Sequence, residues 1–199
     1  MAARIQRSFD LLACAQFNNE FFVNYYDFDI TFNVGTESIE EQNIALERIK
    51  CYLEVYLQNS IFVHDSDTES IERLINAAMK ICVLPEEPYD QIVGIMLLQK
   101  INAITEGRLI ATDISISSHM SDGVTCFYAI EENNGPFALK GWWDDSAPTI
   151  NGLKPKSKKV VKLSKPVNDW AEFNLEWEDT PKKQSTSEIV VVTFDKTDK

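Results

Sequence analysis

Residues 20–34 read EFFVNYYDFDITFNV and carry the clearest structural signal in the chain. Apolar residues hold the even positions and polar residues the odd ones: Phe22, Tyr26, Phe28, Ile30, Phe32 and Val34 against Asp27, Asp29, Thr31 and Asn33. Because successive side chains of a strand point to opposite faces of a sheet, this alternation predicts a strand with one face in the core and one in water. Gly35 ends the pattern.

Helical patterns lie on both sides of this strand. Upstream, residues 4–17 predict a helix with one apolar side. That side would consist of Ile5, Phe9, Leu12, Ala13 and Phe17. Downstream, Ser38-Ile39-Glu40-Glu41 is a capping box and predicts a helix over about five turns. Two more helices are predicted, one capped near Asp67 and one with Pro88 in its first turn.

Two further strands are predicted near residues 108–117 and 124–131. Both alternate apolar and polar residues, and the Asp122-Gly123 pair between them favours a hairpin. The helices form one block between the strands. This order predicts an α+β fold, in which a small antiparallel sheet (strands near 20–34, 108–117 and 124–131) is covered by about three to four helices.

Charge divides the chain near residue 150. Residues 1–150 carry 9 Lys+Arg and 23 Asp+Glu, whereas residues 151–199 carry 10 and 8. We therefore expect a compact acidic domain over 1–150 and an extended arm over 151–199. The arm combines a Lys-rich segment, an aromatic and acidic segment, and a C-terminal strand, EIVVVTFD. The net charge of −12 disfavours binding to phosphate backbones, so nucleic acid is not an expected partner.

The arm is the predicted partner-binding region. A strand with apolar residues on both faces must pair with something, because its free edge otherwise invites aggregation. It could return to the sheet of its own domain, or add to a second copy or to another protein. The predicted contact residues are Trp142, Trp143, Trp170, Phe173, Trp177, Ile189, Val191 and Phe194.

Strand carboxylates form a candidate metal site. Asp27 and Asp29 point to the same side of the strand, and Asp113 lies on another predicted strand. Carboxylate oxygens at short range suit Mg²⁺ or Mn²⁺, as in metal-dependent nucleases and nucleotidyl transferases. The alternative interpretation is a polar face turned toward solvent.

No sequence motif for another common catalytic or cofactor-binding site stands out. No GxGxxG or GxxxxGK[ST] loop occurs, and no cofactor is predicted. Ser118, His119 and Asp122 have the residue types of a hydrolase set, but neighbours on one loop rarely converge. The four cysteines are far apart and form no CxxC pair. There is no signal-peptide core and no long apolar run, so we expect a cytoplasmic protein with no membrane span.

These observations favour a non-enzymatic protein-interaction or assembly protein that uses its C-terminal arm to dock on a neighbour. Compact bodies with such arms are found among viral structural and accessory proteins. Two alternatives stay open. One is a metal-dependent enzyme that acts on nucleotides or nucleic acid through Asp27, Asp29 and Asp113. The other is an acidic mimic of nucleic acid that inhibits a basic protein.

Overall fold

A long antiparallel hairpin forms the centre of the structure, a computed structural model that describes residues 3–130, 135–152 and 169–178. Its strands are β1 (Arg4–Phe17) and β2 (Glu20–Val34). They pair along their whole length, from Arg4 opposite Asn33 to Phe17 opposite Glu20. Asn18 and Asn19 form the two-residue turn, both with positive φ (49° and 65°), as the favoured hairpin turn requires.

The remaining elements follow in chain order. They are α1 (Ile39–Cys51), which continues as a π-helix (Tyr52–Leu57), β3 (Ile61–His64), α2 (Thr68–Asn76), β4 (Ile81–Leu84), α3 (Asp90–Thr105), β5 (Leu109–Ser118) and β6 (Thr125–Ala129). Single 3₁₀ turns lie at His119–Ser121, Gly135–Ala138, Trp142–Asp144 and Trp170–Phe173. In the described ranges no helix is long and apolar enough to cross a membrane.

The strands form one six-stranded sheet in the order β4-β3-β1-β2-β5-β6. Three neighbouring pairs are antiparallel, namely β1 with β2, β2 with β5, and β5 with β6. Two pairs are parallel, namely β1 with β3 and β3 with β4. The α2 helix is the crossover connection between β3 and β4, which adjacent parallel strands require. The sheet is therefore mixed.

The main core lies between one face of the sheet and helices α1 and α3. The even positions of β2 that the sequence assigns to the core are buried there, including Tyr26, Ile30 and Phe32 at 0% exposure. A smaller cluster lies on the other face, where α2 covers β3 and β4. It consists of Ile61, Val63, Ile71, Leu74 and Ile81.

The expected small antiparallel sheet under three to four helices is wrong. Within the described residues the sheet has six strands, it is mixed, and three α-helices pack on it. Strands do lie at the three places where alternation predicts them, as β2, β5 and β6. The errors concern β1, β3 and β4.

Residues 4–17 form a strand and not the expected helix. The apolar positions 5, 9, 13 and 17 are four apart, a spacing that fits both the period of a helix and the period of a strand. Leu11 and Ala15 complete a strand face and are both fully buried. The segment is a strand because pairing with β2 along all fourteen residues satisfies its backbone N–H and C=O groups. A local sequence pattern carries no information about this pairing.

The strands β3 and β4 are each four residues long. Each is a short apolar run, IFVH and ICVL, which periodicity alone cannot distinguish from part of a buried helix. The helix predicted after Asp67 has apolar residues at helical spacing from Ile71 as far as Cys82, but Cys82 lies in β4. That helix instead ends at Asn76, and Ala78 adopts a left-handed conformation with φ 55°.

Candidate functional site

Along the second half of β1, the backbone edge that faces away from β2 is covered by other residues of the chain. β3 pairs with it at Cys14 and Ala15. At Leu12 the backbone N–H donates to Gln58 Oε1 (3.3 Å), and the C=O accepts from the N–H of Asn59 (2.8 Å). The backbone groups of Leu12 therefore point away from β2, toward the line that β3 occupies.

The same side of β1 is open along its first half. Backbone groups point the same way at every second residue of a strand, so those of Gln6, Ser8 and Asp10 face the same line as Leu12. In the part of the chain that the structure describes, no strand pairs with β1 there. An unpaired row of backbone donors and acceptors is a template for another extended chain.

A groove of about 500 Å³ runs beside this open edge. Its walls are β1 on one side and the end of α1 with the π-helix on the other. The lining residues are Arg7, Ser8, Phe9, Asp10, Leu46, Glu47, Lys50, Leu53, Glu54 and Gln58. Pockets that hold small ligands have volumes of about 300–1,000 Å³, so the groove is large enough for one.

The groove combines an apolar floor with a charged rim. Side chains of odd residues of β1 face α1, which places Phe9 near Leu46 and Leu53 at the groove. Ser8 contributes its backbone, because its hydroxyl is on the opposite face, where it donates to Asp29 Oδ1 (2.5 Å). At Ser8 the polar groups that face the groove are thus main-chain groups.

Five charged residues line the groove and are exposed, but Asp10 is at an even position of β1, so its side chain points to the opposite face, as that of Ser8 does. The four charged side chains that rim the groove are Arg7, Glu47, Lys50 and Glu54. Among the described residues, no ion pair within 4.0 Å involves any of them. Two cations and two anions make the rim neutral overall, although the whole chain has a net charge of −12. The rim therefore suits a ligand that carries charges of both signs.

The helical wall of the groove is irregular. After Cys51 the helix changes to π-helical spacing over Tyr52–Leu57, and two groove residues, Leu53 and Glu54, lie in that segment. Helices with π spacing are rare and occur frequently at functional sites. The segment ends at Leu57, and the side chain of the next residue, Gln58, closes the groove at Leu12.

The aspartates singled out in the sequence lie on the opposite face of the sheet. Asp27 and Asp29 face away from α1 and α3, and Asp113 shares their face from the neighbouring strand β5, opposite Thr31. Asp113 accepts a hydrogen bond from the hydroxyl of Thr112 (2.6 Å). Within the described residues, no group of three His, Cys, Asp or Glu side chains is arranged to hold a metal ion.

The four tryptophans predicted to bind a partner are buried within the chain. Trp142, Trp143, Trp170 and Trp177 are between 4% and 9% exposed, and each indole N–H has an acceptor. Phe173 is half-buried and meets the ring of Tyr56 edge-on. Ile189, Val191 and Phe194 lie outside the described residues, and partner binding by this set stays a prediction, as does a domain boundary near residue 150.

A buried ammonium group holds the segment that contains Trp142 and Trp143. Lys100 of α3 is 0% exposed, and its Nζ donates to the carbonyls of Trp142 (2.9 Å), Asp145 (2.5 Å) and Ala147 (2.8 Å). Burial lowers the pKa of Lys100 to about 8, against the opposing effect of the Asp145 carboxylate. All three donors are used, so this lysine ties a turn to the core.

A buried guanidinium group holds the segment over 169–178. Arg48 of α1 is 2% exposed and lies 4.9 Å from the ring centroid of Trp170 and 3.8 Å from that of Trp177. It also donates to the carbonyls of Leu175 (2.7 Å) and Ile104 (3.1 Å) and to Glu106 Oε1 (2.8 Å). Burial lowers the pKa of Arg48, and Glu106 opposes that shift.

A second depression, of about 600 Å³, lies beside the turn over 135–145 and is more open to solvent than the groove. Its two carboxylates are used locally. Asp144 accepts from the N–H of Gly141 (3.1 Å) and Asp145 from that of Ala147 (3.0 Å). The groove beside β1 is therefore the better candidate site.

Little in the amino-acid sequence indicates this groove. Its backbone edge exists because β3 is short and pairs with only the second half of β1, a fact of tertiary structure. One local signal was present in the Asn18-Asn19 pair, which favours a tight hairpin turn and would have predicted β1 as a strand. Arg7, Lys50 and Glu54 were ordinary surface charges at the level of sequence.

Comparisons with known proteins give a distant likeness in structure. A 6-pyruvoyl tetrahydropterin synthase from Plasmodium vivax matches with a TM-score of 0.41 and 10% identity, over 64% of this chain and 97% of that one. A catalytic residue mutant of the P. vivax enzyme gives 0.40 and 8% over the same shares. The P. falciparum enzyme gives 0.40 and 13%, over 64% and 96%. No protein family and no curated protein matches the chain by sequence.

The expected non-enzymatic assembly protein of viral type is contradicted by these matches, since the solved structures that resemble the chain are enzymes of Plasmodium. The two alternatives, a metal-dependent nucleotide enzyme and an acidic nucleic-acid mimic, belong to the same expectation and are not proposed for this chain. At a TM-score near 0.40 the likeness transfers no activity to this chain. The function must be argued from the groove itself.

Proposed function

We propose that this protein binds a short, extended, peptide-like ligand in the groove between β1 and the end of α1. The observation that supports this proposal is the backbone edge of β1 at Gln6, Ser8 and Asp10, which has no partner strand among the described residues and forms one wall of the groove. A ligand with its own backbone amides can pair with that edge, as strands do when they add to a sheet.

The side chains of the groove specify the rest of the ligand. Residues on alternate sides of an extended ligand face opposite ways, so one set meets the apolar floor of Phe9, Leu46 and Leu53. The rim offers Glu47 and Glu54 to a cation and Arg7 and Lys50 to an anion. A peptide with alternating valines and charges of both signs fits these features.

Peptide binding can be tested with acetyl-Val-Lys-Val-Glu-Val-amide, titrated into the full chain and followed by calorimetry and by amide chemical shifts. We expect saturable binding with the largest shifts at Ser8 and Asp10. A copy of the peptide with N-methylated alternate amides is the ligand control, because it keeps the side chains but cannot pair with the edge on one side. Absence of saturation at millimolar peptide would contradict the proposal.

The matched protein variants are Ser8→Pro and Ser8→Ala. Both remove the hydroxyl that bonds to Asp29, but only proline removes the outward N–H. Proline is tolerated on an edge strand when the lost N–H faces outward. Ser8→Pro should weaken peptide binding at least fivefold and Ser8→Ala should not, on the basis of about 1 kcal/mol for a hydrogen bond. Equal weakening would place the ligand elsewhere.

We also propose that the protein works in the cytoplasm. Support comes from its cysteines, since Cys14, Cys51, Cys82 and Cys126 are all free thiols. Burial raises the pKa of Cys14, Cys51 and Cys126, which keeps these thiols protonated and slow to oxidise. Fractionation with an epitope-tagged chain tests this, and recovery with secreted proteins would contradict it.

A further inference from the structure

We infer that the groove beside β1 selects ligands with a free amino terminus and binds them antiparallel to β1, with the α-ammonium group at Glu54. This inference rests on the proposed function, because it names the end and the direction of the peptide-like ligand. It is carried by a groove that is closed at one end, by the order of the charges along its helical wall, and by the carboxylate next to the closed end.

The groove is closed at the Leu12 end of its strand wall. The backbone N–H of Leu12 donates to Gln58 Oε1 (3.3 Å), and its carbonyl accepts from the N–H of Asn59 (2.8 Å). Directly beyond, the N–H of Cys14 donates to the carbonyl of Ser60 (2.9 Å), and β3 continues along the same line. A ligand strand paired with the open edge cannot continue along β1 past this point, so one of its termini lies there.

The charges on the helical wall lie in a fixed order. Glu47, Lys50 and Glu54 are three or four residues apart, so they follow one another along the wall at about one helical turn each. Gln58, which closes the groove, comes about one turn after Glu54. Of the three charges, Glu54 is therefore the nearest to the closed end and Glu47 the farthest from it.

The strand wall runs in the same direction as the helical wall. The N–H of Val34, at the end of β2, donates to the carbonyl of Ala3, just before β1, and α1 begins shortly after β2. Both walls therefore start at one end of the sheet and meet where Gln58 contacts Leu12. Arg7 is about 17 Å from Leu12 along the strand, at about 3.3 Å per residue, and so belongs to the open end.

The charge at the closed end favours an amino terminus over a carboxyl terminus. The Glu54 side chain is exposed, and no ion pair among the described residues involves it. Asp10 adds a second carboxylate nearby, on the opposite face of β1. Lys80 is a cation close to this end, but it does not line the groove, and its Nζ donates to the carbonyls of Val55 (3.0 Å) and Gln58 (2.8 Å). An α-ammonium group at Glu54 gains an opposite charge, whereas an α-carboxylate would meet like charges.

The same features determine the direction of the ligand. A chain whose amino terminus lies at the closed end runs toward the start of β1 and is antiparallel to it. Antiparallel pairing is also slightly more stable per residue than parallel pairing. In this direction the lysine of Val-Lys-Val-Glu-Val is close to Glu54, and its glutamate, two residues further on, is close to Lys50. Both charged side chains of the peptide then meet opposite charges.

Acetylation of the peptide tests the selection of an amino terminus. Calorimetry with the full chain compares Val-Lys-Val-Glu-Val-amide with its acetylated form at about pH 6.5, where an α-amino group is charged. We expect the free amine to bind about threefold more tightly, within the usual range for one exposed ion pair. The two peptides should bind equally to Glu54→Gln. Glu47→Gln, at the open end of the same wall, is the matched control and should keep the threefold preference, whatever it does to either affinity.

Exchange of the two charged residues of the peptide tests the direction. Acetyl-Val-Glu-Val-Lys-Val-amide has the same composition as acetyl-Val-Lys-Val-Glu-Val-amide, but antiparallel binding would bring its glutamate to Glu54. We expect the exchanged peptide to bind at least threefold more weakly. A nitroxide label at the carboxyl end of the tighter peptide should broaden the amide signals of Gln6 and Arg7 and leave those of Gln58 and Asn59 sharp.

The outcomes separate this inference from the proposed function. Equal binding of the free and acetylated peptides would overturn the selection of an amino terminus and leave peptide binding in the groove standing. A preference that persists in Glu54→Gln would do the same, because the charge would then be recognised elsewhere. Broadening of Gln58 and Asn59 by the label at the carboxyl end would overturn the direction. If none of the peptides saturates the chain, the proposed function fails and this inference fails with it.

Discussion

Two pairs of cationic side chains in this protein differ in burial and in hydrogen bonding: one pair lies in the interior and the other beside the groove. Lys100 and Arg48 are buried, and their N–H groups are directed at carbonyls and a carboxylate of the same chain. Arg7 and Lys50 are exposed beside the groove and form no ion pair among the described residues. Both pairs carry the same charge, yet one pair donates its hydrogen bonds within the fold, and the other forms no ion pair among the described residues.

The difference shows how segments without regular structure become ordered. Residues 141–147 and 169–178 contain only single 3₁₀ turns, so most of their carbonyls find no partner inside a helix or sheet. A buried cation with several donors satisfies such carbonyls in one place, because lone buried acceptors are costly. The proposed role of the rim charges requires the opposite: they must have no partner within the chain, because a charge that is already paired would not recognise a ligand.

The largest effect is expected for Lys100→Met, which keeps the length of the side chain but removes all three donors. The carbonyls of Trp142, Asp145 and Ala147 would then be left without this partner. We expect a loss of about 3 kcal/mol in the free energy of unfolding, less than three full penalties because the cost of burying the charge also disappears. Urea unfolding measures it.

Lys50→Met is the matched control for that experiment. It makes the same chemical change on the exposed side of α1 and should alter the free energy of unfolding by no more than about 0.5 kcal/mol. Similar losses in the two variants would remove the distinction between interior and groove cations.

Arg48→Met should have the next largest effect, about 2 kcal/mol, through lost hydrogen bonds to the carbonyls of Leu175 and Ile104. The loss should be local as well as global, because Arg48 also stacks with Trp170 and Trp177. A red shift of tryptophan emission before the main urea transition would report release of residues 169–178. Arg7→Met, on the groove rim, should show neither change, and a red shift there would contradict the comparison.

The sequence predicted the parts of the fold that depend on one element at a time. The alternation over residues 20–34 is present, and Ser38 caps α1 by accepting from the N–H of Glu41 (3.3 Å). The reciprocal half of the capping box is not formed, because the Ser38 N–H and the Glu41 carboxylate both bond to the hydroxyl of Thr36. It failed where two remote segments decide the outcome. Residues 4–17 fit a helix locally, and only pairing with β2 makes them a strand.

The candidate site could not be predicted from the sequence for a related reason. The groove depends on where β3 stops pairing with β1 and on a helix that changes to π spacing at Tyr52, and neither has a one-residue signature. The buried roles of Lys100 and Arg48 were hidden as well, because charged residues are almost always exposed and nothing local marks the exception.

The pH dependence of stability should separate Lys100 from every exposed lysine. Its pKa is lowered to about 8 by burial, against about 10.4 in the unfolded chain. Between these values the unfolded chain binds the extra proton, so the contribution of Lys100 to the free energy of unfolding rises with pH. From pH 7 to 9.5 the gain is on the order of 2 kcal/mol for a shift of this size.

The measurement compares the unaltered chain with Lys100→Met at both pH values. Other titrating groups are common to the two chains, so the difference between their unfolding free energies should grow as pH rises. A difference that stays constant, or that shrinks, would mean that the Lys100 ammonium remains charged above pH 9 and is as well stabilised as it would be in water.

The smallest effect on stability, and the sharpest separation of roles, is expected for the groove charges. Glu54→Gln should change the free energy of unfolding by less than about 0.5 kcal/mol, because Glu54 is exposed and no ion pair involves it in the described ranges. It should nevertheless weaken binding of acetyl-Val-Lys-Val-Glu-Val-amide about two- to fivefold, the usual range for one exposed charge pair. Asp122→Gln changes charge equally on a remote, exposed turn between β5 and β6 and should leave the affinity unaltered. If both variants weaken the peptide equally, the attraction comes from net charge and not from the groove, and the rim would then be no more specialised than the rest of the surface.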